Sequence, residues 1–180
     1  MTGAKPWLDR CTTSARLRGR RSAMRVQDIM TRQLETCRAD DSLWLAARKM
    51  WDHDLGALPV LGGDGRVTSV LTDRDIAMAA YLRGKPLGEV KVSDAMSRRL
   101  VTVQPTEPIR IAEDRMRSEQ VHRIPVVNEV GSLEGMVTLN DLAHHLQTPA
   151  SREGLEPAEV ARTLSAISSP RTGPSGCAPA

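Results

Sequence analysis

Aromatic side chains are nearly absent from this sequence. Among its 180 residues there are three Trp, one Tyr and no Phe. A core must therefore be built from Val, Leu, Ile, Met and Ala. The shortage also argues against a surface for single-stranded nucleic acid, because such surfaces stack bases on aromatic rings.

Cysteine and long apolar runs are scarce as well. The cysteines Cys11, Cys37 and Cys177 are widely spaced and odd in number, so they predict neither a disulfide framework nor a CxxC metal pair. No apolar run approaches the ~18 residues of a membrane span, and none follows the N-terminal arginines as a signal peptide requires. We expect a cytoplasmic protein without a membrane partner.

The excess of positive charge is confined to one end of the chain. Residues 1–24 carry six basic residues and one acidic residue, whereas the remainder carries 19 basic and 21 acidic residues. A body without basic excess argues against nucleic acid as a partner. We expect residues 1–24 to be a disordered basic tail, with Met24 as a second candidate for the true start.

The C-terminal residues 148–180 are rich in Pro, Gly, Ser and Ala. This composition predicts a second disordered tail, apart from a helical turn or two around residues 157–167.

Motifs of catalysis are missing. There is no Walker loop, no GxGxxG motif and no recurring nucleophile–base or paired-carboxylate arrangement. The four histidines have no metal-ligand spacing; the adjacent His144 and His145 would point about 100° apart on a helix. We expect no enzyme, no required cofactor and no metal.

The sequence does contain an internal repeat with an offset of 66 residues. Residues 26–77 match residues 92–143 without a gap and with 14 identities. A match of this length indicates two copies of one unit. Because a unit of ~60 residues is marginal alone, we expect one pseudo-symmetric body made of residues 25–86 and 87–147.

Each copy has the pattern β-α-β-β-α, which predicts an α/β (α+β) fold. The predicted strands are 34–37, 57–61 and 67–71 in the first copy, and 100–103, 123–127 and 133–137 in the second. Asp40 and Thr106 are the expected N-caps of the first helices, with Pro108 in the first turn. The last helices begin at Thr72 and Thr138.

A Thr-x-x-Asp motif stands at the start of each last helix, as Thr72 with Asp75 and Thr138 with Asp141. One interpretation is a capping box, in which the hydroxyl and the carboxylate each accept a backbone N–H. The other is a ligand site, because a helix N-terminus offers free amides to phosphate and a carboxylate can accept from two ribose hydroxyls. The residues alone do not choose between them.

Taken together, these motifs resemble the CBS domains, a family that occurs as tandem pairs called Bateman modules. The resembling segments are 28–30, 58–60 and 71–76 in the first copy and 94–96, 124–126 and 137–142 in the second. The resemblance spans residues 25–147 and is to stand-alone bacterial proteins of two such domains.

The resemblance implies a regulatory module that binds an adenine-containing ligand in clefts between the repeats. AMP, ADP, ATP and S-adenosylmethionine are candidate ligands, a disk-like homodimer is expected, and the regulated protein is unknown. The implied site residues are Thr36, Ala57, Pro59, Thr72, Arg74 and Asp75 in the first copy, and Thr102, His122, Arg123, Pro125, Thr138, Asn140 and Asp141 in the second.

The two clefts differ in charge. Arg74 could bind phosphate in the first cleft or lie in solvent, and the second cleft has Asn140 there. The second cleft has His122 and Arg123 before its proline, where the first has Gly56-Ala57, which leaves room and offers no charge. We expect the first cleft to take a phosphate-bearing ligand, and His122 to be an exposed residue at the strand entry.

Two further residue types have open interpretations. Trp44 and Trp51, seven residues apart on the first helix, would share a face that forms either an interface or part of the core. Cys37 is expected to be a small core residue.

The sequence therefore predicts a ligand-sensing regulatory module. The alternative is a structural, dimerising interaction module with unoccupied clefts, in which the Thr and Asp residues only cap helices.

Overall fold

The structure is a computed structural model that describes residues 24–147 and 155–170. The basic tail predicted at residues 1–24 lies outside these ranges except for Met24. The predicted C-terminal tail, residues 148–180, likewise lies outside these ranges except for residues 155–170.

The described chain alternates helices and short strands, as the α+β prediction requires. The first unit contains β1 (Cys37–Arg38), α1 (Leu43–Asp52), β2 (Ala57–Leu61), β3 (Val67–Thr72) and α2 (Asp73–Arg83). The second contains α3 (Ile109–Glu119), β4 (Arg123–Val127), β5 (Leu133–Thr138) and α4 (Leu139–Gln147), and is followed by α5 (Pro157–Ser168).

Each unit builds a small sheet. In the first, β1 runs parallel to β2, and β2 pairs with β3 in antiparallel register. In the second, β4 and β5 pair in the same antiparallel register, and Val103 forms a single parallel bridge to Val126. Residues 66 positions apart in the sequence thus occupy equivalent places in the two sheets.

The two units exchange their opening segments, residues 24–31 and 90–97. Thr31 pairs with Met136 of β5 through two backbone hydrogen bonds of 2.9 Å, and Ser97 donates its amide to the Val70 carbonyl of β3 at 3.2 Å. Val26 is fully buried in the core of the second unit, and Val92 is fully buried in the core of the first. Each core therefore depends on residues that the sequence assigns to the other copy.

This exchange shortens the first strand of each copy. The predicted strand 34–37 is reduced to Cys37–Arg38, and the predicted strand 100–103 is reduced to the bridge at Val103. The reason is that Thr31 and Ser97, a few residues earlier, bond to the sheet of the other unit, so the chain must cross to its own sheet before it can pair there.

The exchange also sets the starts of α1 and α3, and both predicted N-caps are wrong. Ser42 caps α1 in place of Asp40, with its hydroxyl accepting from the amide of the third helical residue at 3.3 Å. Pro108 occupies the N-cap position of α3 in place of Thr106, without a side-chain cap. The first amide of each helix instead donates to an opening segment, Leu43 to Val90 at 2.8 Å and Ile109 to Met24 at 2.9 Å.

The segment 155–170 contains more helix than the turn or two that we expected around residues 157–167. This segment contains the twelve-residue helix α5, which packs on α3 and α4. Its buried side chains Val160, Thr163 and Ile167 recur at helical spacing, and Leu155 is buried before the helix begins. Burial of this apolar stripe in the second core outweighs the polar, Pro-containing composition.

The open interpretations of Trp and Cys are resolved. Trp44 and Trp51 are 54% and 87% exposed, so the core alternative is wrong for both. Cys37 is buried, and burial raises the pKa of its thiol to about 12. Since the thiolate is the reactive species, Cys37 behaves as a core residue.

Candidate functional site

Each Thr-x-x-Asp motif forms a complete capping box. The Thr72 hydroxyl donates to Asp75 Oδ2 at 2.7 Å and accepts from the Asp75 amide at 3.2 Å, and the Thr72 amide donates to the same carboxylate oxygen at 2.9 Å. Thr138 and Asp141 form the same three bonds at 2.8, 3.2 and 2.7 Å. The motif therefore has a structural role in both units.

The capping boxes leave one carboxylate oxygen available in each unit. Oδ1 of Asp75 and Oδ1 of Asp141 accept no hydrogen bond from any described residue. Both aspartates are half-buried. Each could accept hydrogen bonds from a hydroxyl-bearing ligand without the capping box being broken.

The start of α2 does not offer the free amides that we expected for phosphate. The amide of Asp73 donates to the Gly56 carbonyl at 3.3 Å, that of Arg74 to an oxygen of Asp73 at 2.7 Å, and that of Asp75 to Thr72. All three amides are therefore already satisfied within the chain.

The start of α4 differs at one amide. Leu139 donates to the His122 carbonyl at 2.9 Å and Asp141 donates to Thr138, whereas the Asn140 amide has no acceptor among the described residues. Because the amides at the start of α2 are all satisfied, a phosphate in the first cleft would have to be held by side chains.

The hairpins bring the predicted strand residues next to the capping boxes. Ala57 lies opposite Thr72 in the β2–β3 register, and Arg123 lies opposite Thr138 in the β4–β5 register. Pro59 and Pro125 are buried in the middle of β2 and β4. In both units the predicted residues of the hairpin and of the helix start are thus neighbours.

Arg123 reaches out of its own unit. Its guanidinium nitrogens lie 3.2 and 3.3 Å from the point where a Cβ on Gly56 would stand, and Asp73 Oδ2 lies 3.6 Å from the same point. The sequence analysis assigned Arg123 to the second cleft, but the structure places its charged end at the start of α2. The space that we expected at Gly56 is therefore occupied by the guanidinium of Arg123 from the second unit.

Arg123 is half-buried, and its guanidinium makes no hydrogen bond or ion pair with any described residue. A buried charge usually has a partner. Its position beside the first helix start supplies a positive group there that sequence reasoning missed, because the repeat offset indicates equivalence and not contact.

The other predicted residues lie at the edges of this region. The carbonyl of Thr36 accepts from Lys49 Nζ of α1 at 2.7 Å, and that of Thr102 accepts from Arg115 Nη1 of α3 at 2.5 Å. In each unit a side chain of the first helix thus binds the backbone of the predicted residue. Arg74, Asn140 and His122 are exposed. The exposure of His122 agrees with its expected place at a strand entry.

Neither of two surface clefts found elsewhere includes a predicted site residue. One, of about 290 Å³, lies between α1 and α2, and the other, of about 530 Å³, lies between α3 and α5. Within residues 24–147 and 155–170, no group of three or more His, Cys, Asp or Glu side chains could hold a metal ion. Over the same residues, no helix is long and apolar enough to span a bilayer.

Comparison with known proteins agrees with the repeat. The CBS domain family model matches residues 26–81 and 92–148. The uncharacterized protein YlbB of Bacillus subtilis is 36% identical over 125 residues, which cover 69% of this chain and 83% of YlbB.

Solved structures show the same fold. Hypoxic Response Protein I, solved with two coordinated zinc ions, is 32% identical, with a TM-score of 0.62 over 68% of this chain and 98% of that one. The CBS domain pair of protein MJ0100, solved with 5′-methylthioadenosine and S-adenosyl-L-methionine, has a TM-score of 0.63 at 24% identity, over 69% of this chain and 96% of that one. With both repeats matched by the family model and by solved CBS structures, this chain belongs to the CBS domain family and carries a tandem pair of these domains.

Proposed function

We propose that this CBS pair is a regulatory sensor of an adenosyl ligand, with the first cleft as the principal site. The cleft comprises Thr72, Asp75, Ala57 and Pro59 of the first unit together with Arg123 of the second. Ligand occupancy would alter the packing of the two units and so the activity of a partner protein, which requires different affinities for two packed states.

The observation that carries the proposal is the unpaired, half-buried Arg123 beside the start of α2. It places a positive group from one unit beside Gly56 and the Asp73 carboxylate at the start of α2, the helix whose capping residue Asp75 has an available Oδ1. A nucleotide offers the complementary groups, a phosphate for the guanidinium and ribose hydroxyls for the carboxylate. The complex of the MJ0100 CBS pair supports the ligand class at the level of the fold.

The test uses two adenosyl ligands that differ in charge, AMP and the neutral 5′-methylthioadenosine. At 100 times its dissociation constant, a ligand of the folded protein adds about 2.7 kcal/mol of stability, which raises Tm by several degrees in a protein of this size. We expect Asp75→Ala to reduce the affinity for both ligands. Arg123→Gln should lower the affinity for AMP by about tenfold or more and leave the affinity for 5′-methylthioadenosine unchanged.

The control for the lost cap is Asp41→Ala. Asp41 Oδ2 accepts from the Arg38 amide at 2.8 Å, so this variant removes a similar local bond outside the cleft. It should lower stability by about 1 kcal/mol, as Asp75→Ala does, without changing ligand affinity. Thermal shifts that are absent for every adenosyl ligand would contradict a sensing role, and ligand-induced shifts that are identical in all three variants would contradict the first cleft as the site.

The second candidate function is a structural interaction module with unoccupied clefts. It is favoured by the complete capping boxes, which account for both Thr–Asp pairs without any ligand. The same experiment separates the two functions, because under the structural function Asp75→Ala affects stability alone.

The proposal assigns no catalytic step to the chain and places it in the cytoplasm, with which the buried free thiol of Cys37 is compatible. It also includes self-association, which is supported by the exposed Trp44 and Trp51 of α1.

A further inference from the structure

Helix α5 forms one wall of the cleft of about 530 Å³ whose other wall is α3. This volume is in the range of small-molecule sites. The CBS family model matches residues 26–81 and 92–148, so α5 lies outside the match. The cleft is therefore formed by a CBS helix and a helix that this chain carries in addition to the tandem pair.

Negative groups outnumber positive groups in the lining of this cleft. Glu113, Asp114, Glu156 and Glu159 are acidic, whereas Arg110 and Arg117 are basic. Arg117 is already bound, because it donates to Glu159 Oε2 at 2.8 Å and pairs with Asp114. The carboxylates of Glu113 and Glu156 make no hydrogen bond or ion pair with any described residue. The lining thus has two acidic groups available to a ligand.

The Glu113 carboxyl is buried in the wall of the cleft. Its residue is 2% exposed, and its Oε1 has no hydrogen-bond partner among the described residues. Burial raises the pKa of this carboxyl, although Arg117 and Arg110 act in the opposite direction. The positive groups of the lining therefore do not compensate its charge. A buried carboxylate of this kind requires a cation or hydrogen-bond donors.

Neither a metal ion nor the internal repeat accounts for these acidic residues. In the described part of the chain, no three His, Cys, Asp or Glu side chains are grouped so that they could share a metal ion. The positions of the first unit that correspond to Glu113, Asp114 and Arg117 are Ala47, Arg48 and Trp51. The acidic lining is therefore specific to the second unit, where α5 packs.

We propose that this cleft binds a linear aliphatic diamine, with one ammonium group donating to Glu113 and the other facing the exposed carboxylate of Glu156. An ammonium group has three donors, and its hydrogen bonds to a carboxylate are charge-assisted and strong. Pro108 and the half-buried Ile111 supply apolar surface for the methylene chain. This site is separate from the adenosyl cleft and goes beyond the proposed function.

Calorimetric titration of the full chain with putrescine, at constant ionic strength, tests the proposal. We expect one molecule to bind per chain. Glu113→Gln should raise the dissociation constant by at least about tenfold, because a charge-assisted bond is lost. Glu156→Gln should raise it by about threefold, since Glu156 is exposed to solvent. Butanediol, the neutral diol of the same chain length, should not bind measurably.

Glu129→Gln is the matched control variant. It removes the same charge from an exposed position outside the cleft, so the dissociation constant should stay within about twofold of wild type. Circular dichroism verifies that each variant is folded. The proposal is overturned if putrescine does not bind to the wild type, if both glutamine variants bind it equally well, or if butanediol binds as tightly.

Amide chemical shifts of the wild-type full chain provide a second measurement that needs no variant. Putrescine should shift amides of α3 and α5, and butanediol should not. Shifts spread over acidic surfaces elsewhere in the chain would overturn the proposal, because they would show that the diamine associates with negative charge in general.

These titrations contain no nucleotide and are therefore independent of the sensing proposal. A chain that binds putrescine between α3 and α5 but responds to no adenosyl ligand would support this inference and contradict the proposed function. A chain whose Tm rises with AMP but which does not bind putrescine would do the reverse.

Discussion

Glu113 is the residue whose environment departs furthest from the usual surroundings of its type. It is 2% exposed, and its Oε1 has no hydrogen-bond partner among the described residues. Burial raises the pKa of this carboxyl, and Glu159 and Asp114 act in the same direction, whereas Arg117 and Arg110 oppose them. Ionised Glu113 is therefore a cost to the folded state.

The variant Glu113→Gln should be more stable than wild type at pH 7, by about 1–3 kcal/mol. Since burial raises the pKa of Glu113 in the folded state, its favourable contribution is complete below the unfolded pKa of about 4.3 and is lost as pH rises from there through the folded pKa. The difference between variant and wild type should therefore shrink toward pH 4. Urea unfolding at both pH values measures it.

Exposed Glu129 provides the control. Glu129→Gln should leave the free energy of unfolding within about 0.5 kcal/mol of wild type at both pH values. A constant difference for Glu113→Gln between pH 4 and pH 7 would show that its ionisation does not bear on stability.

Residue pairs that are close in sequence were predictable, and those joined across the units were not. Thr72 and Asp75 are three residues apart, so their capping box follows from the motif. The approach of Arg123 to Gly56 depends on how two copies pack, which no local pattern encodes. For the same reason Ser42 and not Asp40 caps α1, because a carbonyl of the other copy sets the helix start.

At the level of elements, β5 packs against the opening segment 24–31 at a distance that only glycine permits. A Cβ on Gly135 would stand 2.8 Å from the carbonyl oxygen of Thr31 and 2.9 Å from the sulfur of Met30. The equivalent position in β3 is Ser69, whose hydroxyl donates to the Ser97 carbonyl at 2.5 Å. The two exchanged contacts are therefore equivalent in place and different in chemistry.

Gly135→Ala should destabilise the protein by about 1–3 kcal/mol, since the added methyl group must displace backbone. Gly63→Ala is the matched control, because nothing lies within 4 Å of a Cβ there. Urea unfolding of both variants is the measurement. If Gly135→Ala lowers the free energy of unfolding no more than Gly63→Ala does, the opening segment 24–31 can move to accommodate the methyl group at little cost.

Some helices and strands were predictable from the sequence, and others depend on tertiary packing. The bounds of β2 and β4 match the predicted strands because a short, mainly apolar run around a Pro-Val pair occurs twice at the same offset. Helix α5 was underestimated because a single amphipathic stripe among Pro, Ser and Ala acquires its stability only when it packs on α3 and α4.

For the whole molecule, exchange of the opening segments makes the two cores interdependent. Val92 belongs to the second copy by sequence and is fully buried in the core of the first. Val92→Ala should therefore cost about 1.5–3 kcal/mol and should lower hydrogen-exchange protection in both units together.

Ser93→Ala is the control, because Ser93 is exposed and its amide, which donates to Ala39, is unchanged. It should leave protection near the wild-type level. Loss of protection confined to the first unit in Val92→Ala would show that the cores unfold independently, contrary to the exchange.

Both ends of the described module lie against the second unit. The Met24 carbonyl accepts from the amide of Ile109 at the start of α3, and α5, preceded by the buried Leu155, packs on α3 and α4. A fluorophore, an affinity handle or a fused protein joined near either end would therefore be anchored beside the second unit. Immobilisation through such a handle should leave the tryptophans of α1 accessible from solution.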